Sequence, residues 1–82
     1  IYLMDIEPSG KMILLTNSDV PGVVGNIGSI LAEENINISD FRLGRSKNGA
    51  LAVILVDEDV SHSLLNKLEN IEAARSVSYA QI

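Results

Sequence analysis

The apolar positions of this chain fall into runs and stripes whose period switches between that of a strand and that of a helix. Residues 12–16 are consecutively apolar or Thr inside the segment from Lys11 to Asn17. A run apolar on both faces suits a strand at the centre of a sheet. From Pro21 onward the apolar residues are Val23, Val24, Ile27, Ile30 and Leu31. Spacings of three and four put them on one stripe of a helix over residues 23–34. Pro21 fits the first helical position, and Asn35 fits a left-handed cap at the end. Gly22, Gly25 and Gly28 form a small-residue strip beside the stripe. Glycine inside a helix costs about 1 kcal/mol against alanine, so close contact with a sheet, a second subunit or a ligand is expected to offset it.

Residues 37–46 alternate imperfectly. Asn37, Ser39, Phe41 and Leu43 share one face, and Ile38, Asp40, Arg42 and Gly44 the other. Neither face is clean near Ser39 and Asp40, which predicts a bulge, and the charges predict an edge strand. Lys47-Asn48-Gly49 reads as a hairpin turn in which Asn-Gly supplies positive φ. Residues 50–56 are seven consecutive apolar residues, a strand buried on both faces. Val60, Leu64, Leu65 and Leu68 have helical spacing, and Asp57-Glu58-Asp59 is expected at that helix's N-terminus, where the macrodipole favours negative charge. Val77, Tyr79 and Gln81 alternate with Ser76, Ser78 and Ala80 in a last strand.

The resulting order, strand-helix-strand-strand-helix-strand, predicts an α+β chain of ferredoxin-like βαββαβ topology. Two helices would cover one face of a four-stranded antiparallel sheet. Strands one and three would be central, and they carry the two most apolar runs. Eighty-two residues make one domain. With 46% hydrophobic but 4% aromatic residues, the core must be aliphatic. Residues 1–7 alternate loosely and stop at the breaker Pro8-Ser9-Gly10. Because the chain starts at Ile1 and not at Met, it reads as part of a longer protein, with residues 1–10 a lead-in from a preceding domain and 11–82 the domain itself.

Composition narrows the chemistry. Without Cys there is neither a disulfide nor a thiolate metal site, which fits an intracellular, cytoplasmic setting. No apolar run approaches the roughly 20 residues of a membrane-spanning helix, and no basic-then-apolar leader is present. A net charge of −5 with six Lys and Arg argues against nucleic acid. The grouped Arg42, Arg45 and Lys47 read as a solvated edge. His62, the sole histidine, reads as a solvent-facing helix residue. Asp57, Glu58 and Asp59 lack the Gly-punctuated loop and distal Glu of a calcium site. The GxxG at Gly22 to Gly25 lacks the basic surroundings of an RNA-binding loop, and the central strands lack the aromatics of an RNA-recognition sheet. No catalytic set is visible, and no cofactor or metal is expected in this domain.

What is left is the corner over residues 16–25. A helix start there has free N–H groups and a partial positive charge, which suit a carboxylate or phosphate. An ordinary strand-to-helix corner is an equally good reading of that stretch alone. Asn17, Ser18 and Asp19 precede the helix, whereas Asn37 opens the second strand at the helix's far end, roughly 20 Å away at 1.5 Å per residue. One copy cannot bring both Asn residues to one ligand. A two-fold pairing through edge strands can, by juxtaposing opposite ends of two copies.

At these residues the chain resembles a known family. Asp19-x-Pro21-Gly22-Val23-x-Gly25, then Leu31-Ala32 and Asn35-Ile36-Asn37-Ile38, resemble an ACT domain, a small regulatory module that binds amino acids. The lead-in from Leu3 to Gly10, the run Leu43-x-Arg45 and the turn Asn48-Gly49 are closer still to the C-terminal regulatory domains of D-3-phosphoglycerate dehydrogenases, which are NAD-dependent enzymes of serine synthesis. The resemblance implies L-serine bound between two side-by-side domains as a feedback inhibitor. The ligand's contacts would come from Asn17, Asp19, Val20, Pro21, Gly22 and Val23 of one copy and Asn37 of the other. Well-studied bacterial members carry Asn and His where this chain has Asp19 and Asn17. The ACT domains of serine dehydratases are similar, and a module that only dimerises is the alternative of another class.

Overall fold

Alternation and apolar runs become six elements in the computed structural model, which describes residues 10–18 and 21–81. They are β1 (Lys11–Asn17), α1 (Val23–Glu33), β2 (Ile38–Ser46), β3 (Gly49–Val56), α2 (His62–Glu69) and β4 (Ala74–Gln81). All strand pairs are antiparallel and the sheet order is β2-β3-β1-β4. This is the ferredoxin-like arrangement predicted, with the two apolar runs on the central strands. Of the lead-in expected over residues 1–10, residues 1–9 lie outside the described residues.

Both helices lie on one face of the sheet. Their Val23, Ile27, Leu31, Leu64 and Leu68 pack with Ile13 and Leu15 of β1 and with Ala52, Ile54 and Val56 of β3. Burying one aliphatic side chain of this size contributes roughly 1.5–3 kcal/mol, which is how a core without aromatic bulk holds. Val77 and Tyr79 of β4 close one flank, and Phe41 and Leu43 of β2 close the other.

Helix α1 ends as the sequence predicts. Asn35 takes φ 58, and the Ile36 N–H reaches the Leu31 carbonyl at 2.9 Å while the Asn35 N–H reaches that of Ala32 at 3.1 Å. These are the two bonds of a left-handed C-terminal cap. Glu34, beside it, accepts from Lys67 Nζ at 2.7 Å and ties the two helices at the surface. That hydrogen bond, together with the carboxylate's charge, holds the Lys67 ammonium above its ordinary pKa.

Three local expectations are corrected, and a fourth is met with a consequence of its own. Pro21 does not open the helix: it sits in the turn before Gly22, which is the N-cap with φ 92. The left-handed residue available at Gly22 reverses the chain before the helix begins, so proline's fixed φ is used in the turn. In the hairpin, Lys47 and Asn48 form the turn and positive φ belongs to Gly49 alone, at 144°. In β2 the bulge occurs as predicted, with the register shifting between Ile38 and Asp40. Its effect is to reset the alternation, so that Ile38 packs on the same helix-side core as Phe41 and Leu43. The acidic residues 57–59, finally, do not cap α2. Ser61 does, its hydroxyl accepting from the Leu64 N–H at 3.1 Å. Asp57 and Glu58 are used elsewhere.

Candidate functional site

Strand β1 delivers Asn17 to the corner. Asn17 is 2% exposed, and its amide Nδ2 donates to the Leu15 carbonyl at 3.4 Å. Ser18 then anchors the chain to the opposite loop, its N–H donating to Ala73 at 2.8 Å. Pro21 and Gly22 turn the backbone into α1, which has neither a side-chain cap nor an acidic residue in its first turn. The first N–H groups of α1 are therefore left to water or a ligand, unlike the first turn of α2.

A recess of about 170 Å³ opens between the start of α1 and β2. Asn17, Pro21, Gly22 and Val23 line it, so four of the seven residues predicted for the site meet in one place. Asp19 and Val20 lie outside the described residues. Val24, Ile27, Leu43 and Arg45 complete the wall. The sequence reading did not assign these four to the site, although the spacing of two in Leu43-x-Arg45 places both side chains on one face of β2. Broader hollows of about 470 Å³ beside Asn26 and Glu72, and about 510 Å³ at the β2–β3 turn, are open to solvent and take in only Pro21 and Val23 of the predicted set. The smaller, more enclosed recess is the better match to an amino-acid-sized ligand, since pockets bury most of what they bind.

Asn37 is not in this recess. It lies at the other end of the sheet, where its Nδ2 donates to Asp57 Oδ2 and its backbone N–H to Glu58 Oε1, both at 2.6 Å. Its carbonyl accepts from the Asp57 N–H at 3.1 Å. The acidic residues that were expected at a helix start thus hold Asn37 in place and add negative charge around it. The ladder fixes the separation: Asn17 pairs with Ala50, whereas Asn37 adjoins the Val56 end of β3. Six residues of strand at about 3.3 Å each amount to roughly 20 Å. The two halves of the predicted site are at opposite ends of one copy.

The glycine strip is open. A methyl group added at Gly25 or Gly28 would meet nothing within 4 Å. The cost of these glycines is thus not offset by packing inside one copy. Gly25→Ala is expected to raise the unfolding free energy of the isolated domain by about 0.5–1 kcal/mol, measured by urea denaturation at a concentration where it is monomeric. A loss of stability would show that the backbone needs glycine there.

Among the described residues, no three His, Asp or Glu side chains group as metal ligands, and no helix is long and apolar enough to cross a membrane. His62 is exposed at the first residue of α2.

Comparison with known proteins places this corner in a family. The ACT domain model matches residues 11–73, and the chain belongs to the ACT domain family. It is 33% identical over 84 residues to D-3-phosphoglycerate dehydrogenase 3, chloroplastic, of Arabidopsis thaliana, covering 100% of this chain and 14% of that protein. It is 29% identical over 78 residues to the D-3-phosphoglycerate dehydrogenase of Bacillus subtilis (strain 168), covering 93% of this chain and 15% of that one. The chain therefore spans only 14% and 15% of the length of these two relatives. The regulatory subunit of aspartate kinase from Thermus thermophilus superposes with a TM-score of 0.72 at 19% identity, over 98% of this chain and 56% of that one. That likeness is one of fold. The chain is a regulatory domain related to that of D-3-phosphoglycerate dehydrogenase.

Proposed function

We propose that this domain binds a free amino acid, L-serine, between two copies of itself and so regulates a D-3-phosphoglycerate dehydrogenase of which it is part. The observation that carries the reading is the separation of Asn37 from the recess. The strand β2 lies at the sheet's edge, with a row of backbone groups available for pairing. Two-fold antiparallel pairing of β2 with its copy brings the Ile38 end of one strand beside the Ser46 end of the other. The partner copy's Asn37 then arrives next to Leu43 and Arg45, which wall the recess. A ligand carboxylate would lie at the start of α1 near the N–H groups and Gly22, and its ammonium and hydroxyl would face Asn17, Asp19 and Asn37. Pro21 and Val23 shape the remaining wall.

Regulation follows if the ligand favours one packing of the paired domains, because it can shift the parent enzyme only by its differential affinity for the two arrangements. The domain needs no cofactor for this; NAD would serve the catalytic part of the parent, in the cytoplasm. Titration calorimetry with L-serine tests the reading. Heat at sub-millimolar to millimolar serine, with one ligand per recess, is expected. No heat from a folded dimer leaves a module that only dimerises, a reading favoured by the fact that the Asn17 and Asn37 amides already have partners within the chain. Asn37→Ala is expected to weaken binding about tenfold or more, the loss of one hydrogen bond to an ionised group at about 1.5–3 kcal/mol. The unfolding midpoint should hold, since Asn37 is exposed. Unchanged affinity would remove Asn37 from the site.

A further inference from the structure

Charge is divided between the two ends of the sheet. Asp57 and Glu58 lie at the end where β2 begins, each carboxylate accepting a hydrogen bond from Asn37 at 2.6 Å. The cations near them are taken: Lys11 pairs with Asp59 at 3.2 Å, and Lys67 with Glu34 at 2.7 Å. Among the described residues, no Lys or Arg forms an ion pair with Asp57 or Glu58. At the other end, where β2 turns into β3, stand Arg45, Lys47 and Arg75. Arg75 is held by the Asn48 carbonyl and the Ser18 hydroxyl. Lys47 is exposed in the turn and pairs with no carboxylate among the described residues. Each end carries charge that its own chain leaves uncompensated.

We infer that the two ends compensate each other across a dimer, Lys47 of each copy pairing with Asp57 and Glu58 of the other, and that this contact sets the direction in which the β2 edges join. The lock rests on the two-fold pairing proposed above and adds what selects it. Setting the Ile38 end of one β2 beside the Ser46 end of the other brings the turn residue Lys47 alongside the partner copy's Asn37. Asp57 follows β3, one strand behind the edge, yet its carboxylate already extends to the Asn37 side chain. One strand spacing of about 4.8 Å then remains, and the four-carbon stem of a lysine crosses it. By symmetry the contact occurs twice.

The reverse arrangement is penalised. Parallel pairing of the same two edges would set Lys47 against Lys47 and the acids against the acids. Like charges opposed across an interface suppress the wrong partner and the wrong register. Only the antiparallel pairing joins unlike ends, and it is also the one that carries Asn37 to the recess of the other copy. Charge chooses the orientation, and the orientation completes the serine site.

Exposed ion pairs contribute little singly, so charge reversal is the sensitive test, since it turns two attractions into two repulsions. In the 82-residue chain, Lys47→Glu is expected to weaken the homodimer about tenfold at about 10 mM salt, where charges act over about 30 Å. In about 1 M salt, where that range falls to about 3 Å, the difference from the parent should nearly vanish. Sedimentation equilibrium reads both. Glu58→Lys should weaken its own homodimer in the same way. When the two variants are mixed, one of them isotope-labelled, both junctions of the mixed dimer join opposite charges. Native mass spectrometry should then find mixed dimers well above the share that random pairing gives. A Lys47→Glu homodimer as tight as the parent's at low salt, or mixed dimers at the random share, would overturn the lock and leave the pairing standing. A parent chain that stays monomeric at millimolar concentration would overturn both.

Discussion

Gly49→Ala is expected to cost about 3 kcal/mol or more and to disturb the corner that lines the recess, although Gly49 itself is not in it. Two effects combine. The backbone at Gly49 has φ 144, a region open to glycine and sparsely allowed for any residue with a Cβ, at about 1–3 kcal/mol. The added Cβ would also lie 2.5 Å from the carbonyl oxygen of Asn17 and 3.0 Å from Arg75 Nη1. The arginine, hydrogen-bonded to the Asn48 carbonyl and to the Ser18 hydroxyl, can swing aside. The Asn17 carbonyl cannot, because it is backbone at the end of the β1–β3 ladder, where Asn17 pairs with Ala50. Relief must come from pulling β1 away from the hairpin, and Asn17 moves with it. Urea denaturation should show the loss, and the Asn17 amide resonances should shift more than those of the Lys11 end. A loss below 1 kcal/mol would mean that the turn relaxes without involving β1.

The elements were legible because each rests on a local pattern: two unbroken apolar runs for β1 and β3, spacings of three and four for the helices, Asn35 for the left-handed cap. The order of those elements then left one economical topology. What escaped the sequence depends on contacts distant along the chain. Asp57 and Glu58 look like helix-capping acids because they precede an apolar stripe, yet Ser61 is nearer and better shaped for the cap, and the acids' partner, Asn37, is some twenty residues upstream. The bulge could be placed near Ser39, but its consequence, Ile38 joining Phe41 and Leu43 in the core, needs the sheet register. The recess shows the same division. Asn17, Pro21, Gly22 and Val23 follow one another along the corner and were found together. Leu43 and Arg45 reach it only because β2 lies opposite α1, which no spacing in the sequence states. The separation of Asn37 from the corner was legible, since helix length alone sets it. Asn17's own bond to Leu15 was not, and that bond gives the largest expected change at the site itself.

Asn17→Asp is expected to destabilise the domain by several kcal/mol at neutral pH and by much less near pH 3. The amide is buried and donates to the Leu15 carbonyl. An ionised aspartate there keeps the volume but has no donor, and it sets a negative charge against a carbonyl oxygen in a site nearly closed to water. Burial of an unpaired carboxylate costs several kcal/mol and is relieved by protonation, so the folded-state pKa of the new group lies above its unfolded value of about 3.9. The sign follows. Below the unfolded pKa the group is neutral in both states, its O–H can donate to the Leu15 carbonyl, and the penalty is absent. As pH rises through the raised folded pKa the penalty becomes complete, so stability relative to the parent sequence falls with increasing pH. Urea midpoints of both proteins from pH 3 to pH 8 test this, and a pH-independent difference would show that the Asn17 side chain reaches water. The same series separates fold from ligand. At low pH, where the variant folds as well as the parent, the protonated carboxyl still offers one donor and one acceptor to the recess. With the Asn17 side chain facing the ligand's ammonium and hydroxyl, as proposed, the folded variant is expected to bind serine at both pH values; binding lost at neutral pH alone, while the parent binds at both, would place the Asn17 amide against the ligand's carboxylate instead.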